Sequence, residues 1–212
     1  MVIESWSGPL NALVEHGDLW VTEDLNKVDI VLKFGKVRTQ DLEYANLNLK
    51  NGELEMENSN RLRLSSSGTD MNINAVRFLE IYSNKDDIAI EEIGSVSGSL
   101  KFTTLGIQRL MKEVDLDTKI TDFRIAQFIE PRAEISFEQE SCEITLNVSG
   151  FSHRFTATLE QGVVRLPKAF ENVNSKVLDK GRRLREIEAT YGEDQSGFIS
   201  INGTKGIITI ND

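Results

Sequence analysis

The residues of this chain that could carry out chemistry are few, and their spacing forms no known catalytic or metal-binding motif. Its two histidines, His16 and His153, stand outside the HxxxH and HExxH spacings that place two imidazoles on one metal ion. The sequence contains no GxxxxGK[ST] or GxGxxG phosphate motif and no GxSxG nucleophile motif. We therefore predict no catalytic, cofactor-binding or metal-binding residues.

Cys142 is the only cysteine, so the chain cannot form an intramolecular disulfide. Its thiol could instead act as a catalytic nucleophile. Cys142 and His153 would form a nucleophile–base pair if adjacent coils of a repetitive fold brought them together. However, Cys142 has the same parity as the apolar residues Ile144 and Leu146, so on a strand it would point into the core with them. We favour a buried cysteine without catalytic function.

Acidic residues stand at equivalent places before several apolar segments: Asp70, Asp87, Asp122 and Glu143. A calcium ladder would require glycine-dense turns with an acid in every repeat, whereas most turns here contain one glycine or none. We interpret these acids as turn residues, because Asp hydrogen-bonds readily to nearby backbone. The adjacent carboxylates Asp86-Asp87 and Glu91-Glu92 would face opposite sides of a strand, which does not suit an acid/base couple.

A repeated strand–turn–strand unit, clearest in residues 61–90, must position all of these side chains. Leu62 and Leu64 alternate with polar residues, and Met71 and Ile73 repeat that pattern nine residues later across a polar turn. The same offset returns along most of the chain, which indicates a repeat architecture. One unit cannot bury its apolar face alone, so the units are expected to stack.

These observations predict an all-β fold: a single-chain right-handed β-solenoid or β-helix-like stack of short strands, closed by a C-terminal β-meander. Residues 1–18 are expected to form an N-terminal cap, either a short helix or an irregular segment. Residues 19–168 would form the repeats. Residues 169–212, a loop plus the C-terminal strands, would belong to the same domain. We interpret the segment 105–114 as a strand, although a helical turn would also fit its pattern.

The charges between the apolar residues give a test of the stacking. Leu62, Leu79, Leu100 and Val114 are taken as the first apolar residues of successive units. The outward residues that follow them alternate in sign: Arg63, Glu80, Lys101 and Asp115. Cross-strand pairing favours such alternation, so we expect these four residues to be neighbours in one column.

The overall charge bears on the class of partner. A net charge of −10 argues against nucleic acid and anionic membranes as ligands, since both require a cationic surface. The local basic cluster of Lys180, Arg182, Arg183 and Arg185 is interpreted as solvated surface. No segment approaches the roughly 18 apolar residues of a membrane span, and no signal-peptide pattern follows Met1.

Two segments resemble a known family. The first runs from Leu79 to Ile125 and includes SNKDDIAIEEIGSVSGSLKFTTLGIQRL and VDLDTKITDFRI; the second is the closing YGEDQSGFISINGTKGIITIND. The chain, from about residue 40 onward, is similar to the bacterial adhesin-like (toast-rack) domain family of unknown function, in the form found in Bacteroidetes cell-envelope proteins. The resemblance implies a β-solenoid in the periplasm or at the cell surface, with a signal peptide removed. It implies no enzyme activity and no functional residues.

The expected function is therefore a non-enzymatic envelope scaffold or interaction domain with an envelope protein or a glycan as partner. The alternative is a carbohydrate-active β-helix enzyme or a glycan-binding module. Its groove would use the outward positions of the second strands: Asn72, Ala89, Arg124, Thr145 and Arg165. Only Arg124 and Arg165 would suit an acidic sugar. The sequence leaves the oligomeric state open.

Overall fold

The computed structural model describes all 212 residues and contains β-strands but no helix. Along most strands buried and exposed side chains alternate, as the period-two sequence pattern requires. The strands, in chain order, are β1 (Val2–Ile3), β2 (Leu10–Glu15), β3 (Leu19–Val21), β4 (Leu25–Lys33), β5 (Lys36–Thr39), β6 (Leu42–Lys50), β7 (Glu53–Ser67), β8 (Asp70–Asn84), β9 (Asp87–Lys101), β10 (Thr104–Lys119), β11 (Asp122–Phe128), β12 (Glu134–Glu140), β13 (Glu143–Asn147), β14 (His153–Glu160), β15 (Val163–Arg165), β16 (Glu171–Asp179), β17 (Leu184–Tyr191), β18 (Gly197–Thr204) and β19 (Ile207–Asn211).

Neighbouring strands pair in parallel, so that each coil of the chain stacks on another coil. In the regular middle of the stack, equivalent residues lie 17 positions apart, as Leu54, Met71 and Ile88 do. Equivalent side chains therefore form columns along the axis of the stack, with a spacing of about 4.8 Å between coils. The predicted all-β solenoid is confirmed.

A single hydrophobic core of 51 buried residues runs through the stack. Leu62 and Leu64 of β7 belong to one set of buried columns, and Met71 and Ile73 of β8 belong to another. The nine-residue offset is thus the step around the turn from one buried pair to the next. Each coil covers the apolar residues of its neighbours, which explains why the unit is repeated.

The predicted column of charges is correct at three of its four positions. The column consists of Arg63, Glu80, Ser97 and Asp115. Lys101 was placed there wrongly, because Val96 and not Leu100 is the partner of Leu79. Ile81 pairs with Gly98, and that glycine hides the apolar alternation of β9.

One corner of the stack is built from residues with positive φ angles: Phe34, Asn51, Gly68, Lys85, Phe102 and Ile120. Their backbone N–H groups continue the ladder between coils, for example from Asn51 to the carbonyl of Ser67 at 2.9 Å. Bulky residues rarely adopt this left-handed conformation. The hydrogen bonds between coils therefore hold Phe102 and Ile120 in a backbone conformation that their side chains disfavour.

Asp86 lies just after this corner and is only 4% exposed. Its carboxyl group accepts hydrogen bonds from the hydroxyls of Ser66 and Ser83, both at 2.6 Å, and from the backbone N–H of Thr69 at 2.7 Å. The Ser83 hydroxyl also contacts the Thr103 hydroxyl at 2.8 Å. These donors replace the water that Asp86 loses on burial.

The last two strands are inserted between coils that precede them in sequence. β18 lies between β12 and β14 and pairs in parallel with both. β19 likewise lies between β13 and β15. The coil formed by β14 and β15 therefore stacks on β18 and β19, and not on the coil that precedes it in the chain.

The C-terminal strands differ in pairing from the predicted meander of three consecutive strands. β17 pairs antiparallel with β14 and with β16, so these three strands form the antiparallel end of the stack. β18 and β19 are parallel strands inside it. The alternation in residues 184–211 locates the strands correctly, but nothing in it identifies their partners.

Two segments contain strands that the sequence pattern did not indicate. Leu10–Glu15 forms β2 and pairs with β4, so it is neither helical nor irregular. The loop predicted at the start of residues 169–212 contains β16, an edge strand whose residues are all exposed. The segment 105–114 lies within β10 and is confirmed as a strand.

Candidate functional site

The four acids singled out in the sequence begin four strands and fall in one outward column. Asp70 pairs with Asp87, and Asp122 pairs with Glu143. Thr104 of β10 lies between these two pairs, with Asp87 on one side and Asp122 on the other. No group of three or more His, Cys, Asp or Glu side chains is arranged to hold a metal ion.

Cys142 and His153 do not come together. Cys142 is buried beside the corner that precedes β13, and its Sγ donates to the hydroxyl of Thr118 at 3.4 Å. His153 begins β14 and pairs with Tyr191 of β17. Neither side chain hydrogen-bonds to the other. The prediction that Cys142 belongs to the core is confirmed.

His153 is fully buried in a cluster of aromatic rings. Its Nδ1–H donates to the carbonyl of Phe151 at 2.7 Å, and its ring lies 5.0 Å from the ring of Phe151 and 5.4 Å from that of Phe170. Nε2 is buried without a partner. Burial lowers the pKa of His153, and the hydrogen bond to Phe151 opposes this effect only in part.

The free energy of unfolding is expected to decrease as the pH is lowered, because of His153. The unfolded chain binds a proton near the ordinary pKa of 6.5, whereas folded His153 resists protonation. Its contribution is therefore complete above pH 6.5 and decreases as the pH falls from there through the lower folded pKa. Urea unfolding between pH 5 and 8 should show this loss, and the His153→Phe variant should lose that part of the dependence. A His16→Phe control should keep it; an identical pH dependence in both variants would contradict the assignment.

The two arginines considered for a sugar groove lie in the predicted outward column but do not form a site together. The paired residues of that column are Asn72, Ala89, Gly106, Arg124, Thr145, Thr209 and Arg165. Two coils separate Arg124 from Arg165, because β19 is inserted between β13 and β15. Arg124 forms an ion pair with Asp122 on its own strand. Neither arginine lines any of the five main grooves of the surface.

The basic cluster lies at the turn between β16 and β17. Arg182 donates to the Glu160 carboxylate at 2.5 Å, which raises the pKa of the Arg182 guanidinium. Lys180, Arg183 and Arg185 are exposed. The interpretation as solvated surface charge agrees with this exposure.

A groove of about 600 Å³ runs along the axis of the stack, and we call it the axial groove. One side is the column Lys27, Tyr44, Arg61, Phe78, Ser95 and Glu113. The other side is the column Asp29, Asn46, Arg63, Glu80, Ser97 and Asp115. Six coils contribute, so the groove extends over about 24 Å.

The first side of the axial groove presents two aromatic rings and an arginine on three successive coils. Tyr44 and Phe78 are 48% and 38% exposed, although both side chains are large and aromatic. Arg61 lies between them in the column, and its guanidinium is 5.6 Å from the centre of the Phe78 ring. Exposed aromatic rings with a neighbouring cation are typical of binding surfaces.

The second side of the axial groove is a row of hydrogen-bonding groups. The Asn46 amide donates to Asp29 at 3.0 Å, and Arg63 lies 3.6 Å from Glu80. Glu80 also accepts the hydroxyl of Tyr82 at 3.0 Å, which raises the pKa of Tyr82. A ligand in the groove would therefore meet rings on one side and amide, hydroxyl and carboxyl groups on the other.

The floor of the groove limits the kind of recognition that is available. The backbone N–H and C=O groups of β6, β7, β8 and β9 form ladders with neighbouring coils. They cannot pair with an added peptide strand, so the ligand must be bound through side chains.

No protein-family model, curated protein or solved structure matches this chain. The structure also contains no helix that is long and apolar enough to cross a membrane.

The side of the axial groove that carries the aromatic rings was missed in the sequence, although a signal for it exists. Of the other side, Arg63, Glu80 and Asp115 were predicted as one column but not as part of a binding site. Tyr44, Arg61 and Phe78 are 17 residues apart, which is the length of one coil. Once the 17-residue period is known, these three residues must be neighbours on the surface. The nine-residue offset alone does not reveal this, since it describes only the step around one turn.

Proposed function

We propose that this protein is a non-enzymatic, adhesin-like interaction domain of the bacterial cell envelope. The axial groove binds a section of an extended polymer that lies along the stack. The observation that carries this proposal is the exposed column of Tyr44, Arg61 and Phe78 beside a parallel row of polar side chains. The groove extends over about 24 Å (about five coil spacings), so it can contact several units of a chain-like ligand.

The envelope location is supported by the resemblance of residues 79–125 and of the closing segment to adhesin-like domains. Cell fractionation of a bacterium that carries the native gene tests it. Recovery of the protein in the cytoplasmic fraction alone would contradict an envelope function.

Substitution of the two rings should remove most of the binding. A Tyr44→Ala/Phe78→Ala variant is expected to lose tenfold or more in affinity, about 1.4 kcal/mol or more, because exposed rings commonly dominate binding energy. A glycan array that contains bacterial surface polysaccharides identifies the ligand, and calorimetric titration measures the loss.

Phe102→Ala is the matched control, since Phe102 is an exposed aromatic residue outside the axial groove. The control should bind like the unchanged protein. Equal binding by the groove variant and the control, or no binding to any surface polysaccharide, would refute the proposed function.

A further inference from the structure

Two arginines converge on the ring of Phe78. The guanidinium of Arg61 is 5.6 Å from the ring centre, and that of Arg77 is 5.1 Å from it. Arg61 and Phe78 face each other across neighbouring coils, and Arg77 directly precedes Phe78 in the chain. Phe78 lines both the axial groove and a smaller groove beside it, to which Arg77 belongs. Both guanidinium groups thus lie close to one ring, at the junction of two grooves.

Neither arginine has an acidic partner in the chain. The ten ion pairs of the structure include neither Arg61 nor Arg77. This is notable in a chain with 34 acidic and 24 basic residues, where an exposed guanidinium has many carboxylates available. Two like charges near one ring repel each other, and a bound anion would offset that repulsion.

We propose that Arg61 and Arg77 bind the carboxylate of an acidic sugar, and that the sugar rings pack against Phe78 and Tyr44. This assignment rests on the function proposed above for the axial groove. A guanidinium presents paired N–H donors that match the two oxygens of a carboxylate. Ser95, next to Phe78 in the column, and Asn46 on the opposite side offer donors and acceptors for sugar hydroxyls.

The surrounding charges favour a ligand with separated carboxylates. Asp29, Glu80, Glu113 and Asp115 also line the axial groove, where they outnumber the cations Lys27, Arg61 and Arg63. A dense polyanion such as a nucleic acid would therefore meet carboxylates on three coils. Carboxylate side chains accept hydrogen bonds from hydroxyls, which suits the uncharged part of a sugar. The site therefore fits a uronic-acid glycan, with one carboxylate at the arginine pair and hydroxyls along the acidic row.

Calorimetric titration with uronic-acid oligosaccharides tests the assignment: oligogalacturonate, oligomannuronate and oligoglucuronate, each beside its carboxyl-reduced form. At least one acid form should bind tenfold or more tightly than its reduced form. Arg61→Gln/Arg77→Gln should abolish that preference, and raising the salt concentration should weaken the acid form only. Arg165→Gln, an exposed arginine without an ion pair, should change nothing.

The outcomes separate this inference from the function on which it rests. Equal binding of acid and reduced forms, lost in the Tyr44→Ala/Phe78→Ala variant, would overturn the carboxylate site and leave the groove as a glycan site. Tighter binding of sulfated oligosaccharides than of any uronic acid would also overturn the carboxylate assignment. Absence of binding to all of these sugars would overturn it as well. The polysaccharide array would then show whether the axial groove binds any other glycan.

Discussion

Deletion of residues 197–212 is expected to abolish the fold of the C-terminal part of the stack. β18 and β19 contribute four isoleucines that are almost fully buried: Ile199, Ile201, Ile208 and Ile210. Burial of four such side chains is worth about 6–12 kcal/mol, which is comparable to the whole stability of a typical domain, roughly 5–15 kcal/mol. The deletion also leaves β12 and β14 without the partner they share, since these two strands do not pair with each other.

Circular dichroism and limited proteolysis would measure the effect, with cleavage expected first in β14 to β17. Deletion of residues 1–9 is the control, because β1 pairs along one side only and its loss should leave most of the core protected. Should the C-terminal deletion not accumulate in cells, Ile201→Ala offers a milder change with an expected loss of about 2–5 kcal/mol. Equal protease resistance of both deletions would contradict the inserted position of β18 and β19.

Replacement of Asp86 with alanine should cost about 3–5 kcal/mol of unfolding free energy. The carboxyl group is the shared acceptor for the Ser66 and Ser83 hydroxyls and for the backbone N–H of Thr69. Its removal leaves buried donors without a partner, and it opens a cavity between three coils. Urea unfolding followed by circular dichroism would give the loss.

Asp87 provides a matched control one residue away. It has the same side chain but is exposed at the start of β9, so Asp87→Ala should change the unfolding free energy by about 0.5 kcal/mol or less. Similar losses for the two variants would show that the hydrogen bonds of Asp86 are not the source of its effect.

The regular part of the fold could be predicted because its sequence pattern is local. Leu62, Leu64, Met71 and Ile73 show the strand period and the turn within a dozen residues, and all four are buried as expected. The predicted register was wrong where the apolar pattern is interrupted. Gly98 stands where the neighbouring coil has Ile81, so Leu100 was taken as the start of a unit and Lys101 was placed in the wrong column.

The order of the C-terminal strands could not be read from the sequence. The pairs that fix this order join Glu134 to Phe198 and His153 to Gly197, which are 64 and 44 positions apart in the sequence. Period-two alternation indicates that a strand has one buried face, but it does not identify the neighbouring strand. The insertion is therefore a property of the assembled core and has no local signature.

The axial groove was missed for a different reason. Its residues are ordinary surface types, and none of them belongs to a catalytic motif. The candidates chosen by chemical reactivity, Cys142 and His153, proved to be buried parts of the core. In a stacked fold the surface site is a column, so the informative search is for unusual exposed residues at the coil length, as with Tyr44, Arg61 and Phe78.

The inserted position of β18 and β19 also affects how the chain folds as it is synthesised. Most solenoids can add coils in the order in which they leave the ribosome. Here β18, which lies between β12 and β14, is made after both of them. The unpaired backbone N–H and C=O groups at the edges of β12 and β14 therefore stay open until residues 197–211 have emerged. Such edges attract other chains. The rate at which residues 197–211 leave the ribosome, or a chaperone that covers the open edges, would then determine how much of the newly made protein aggregates.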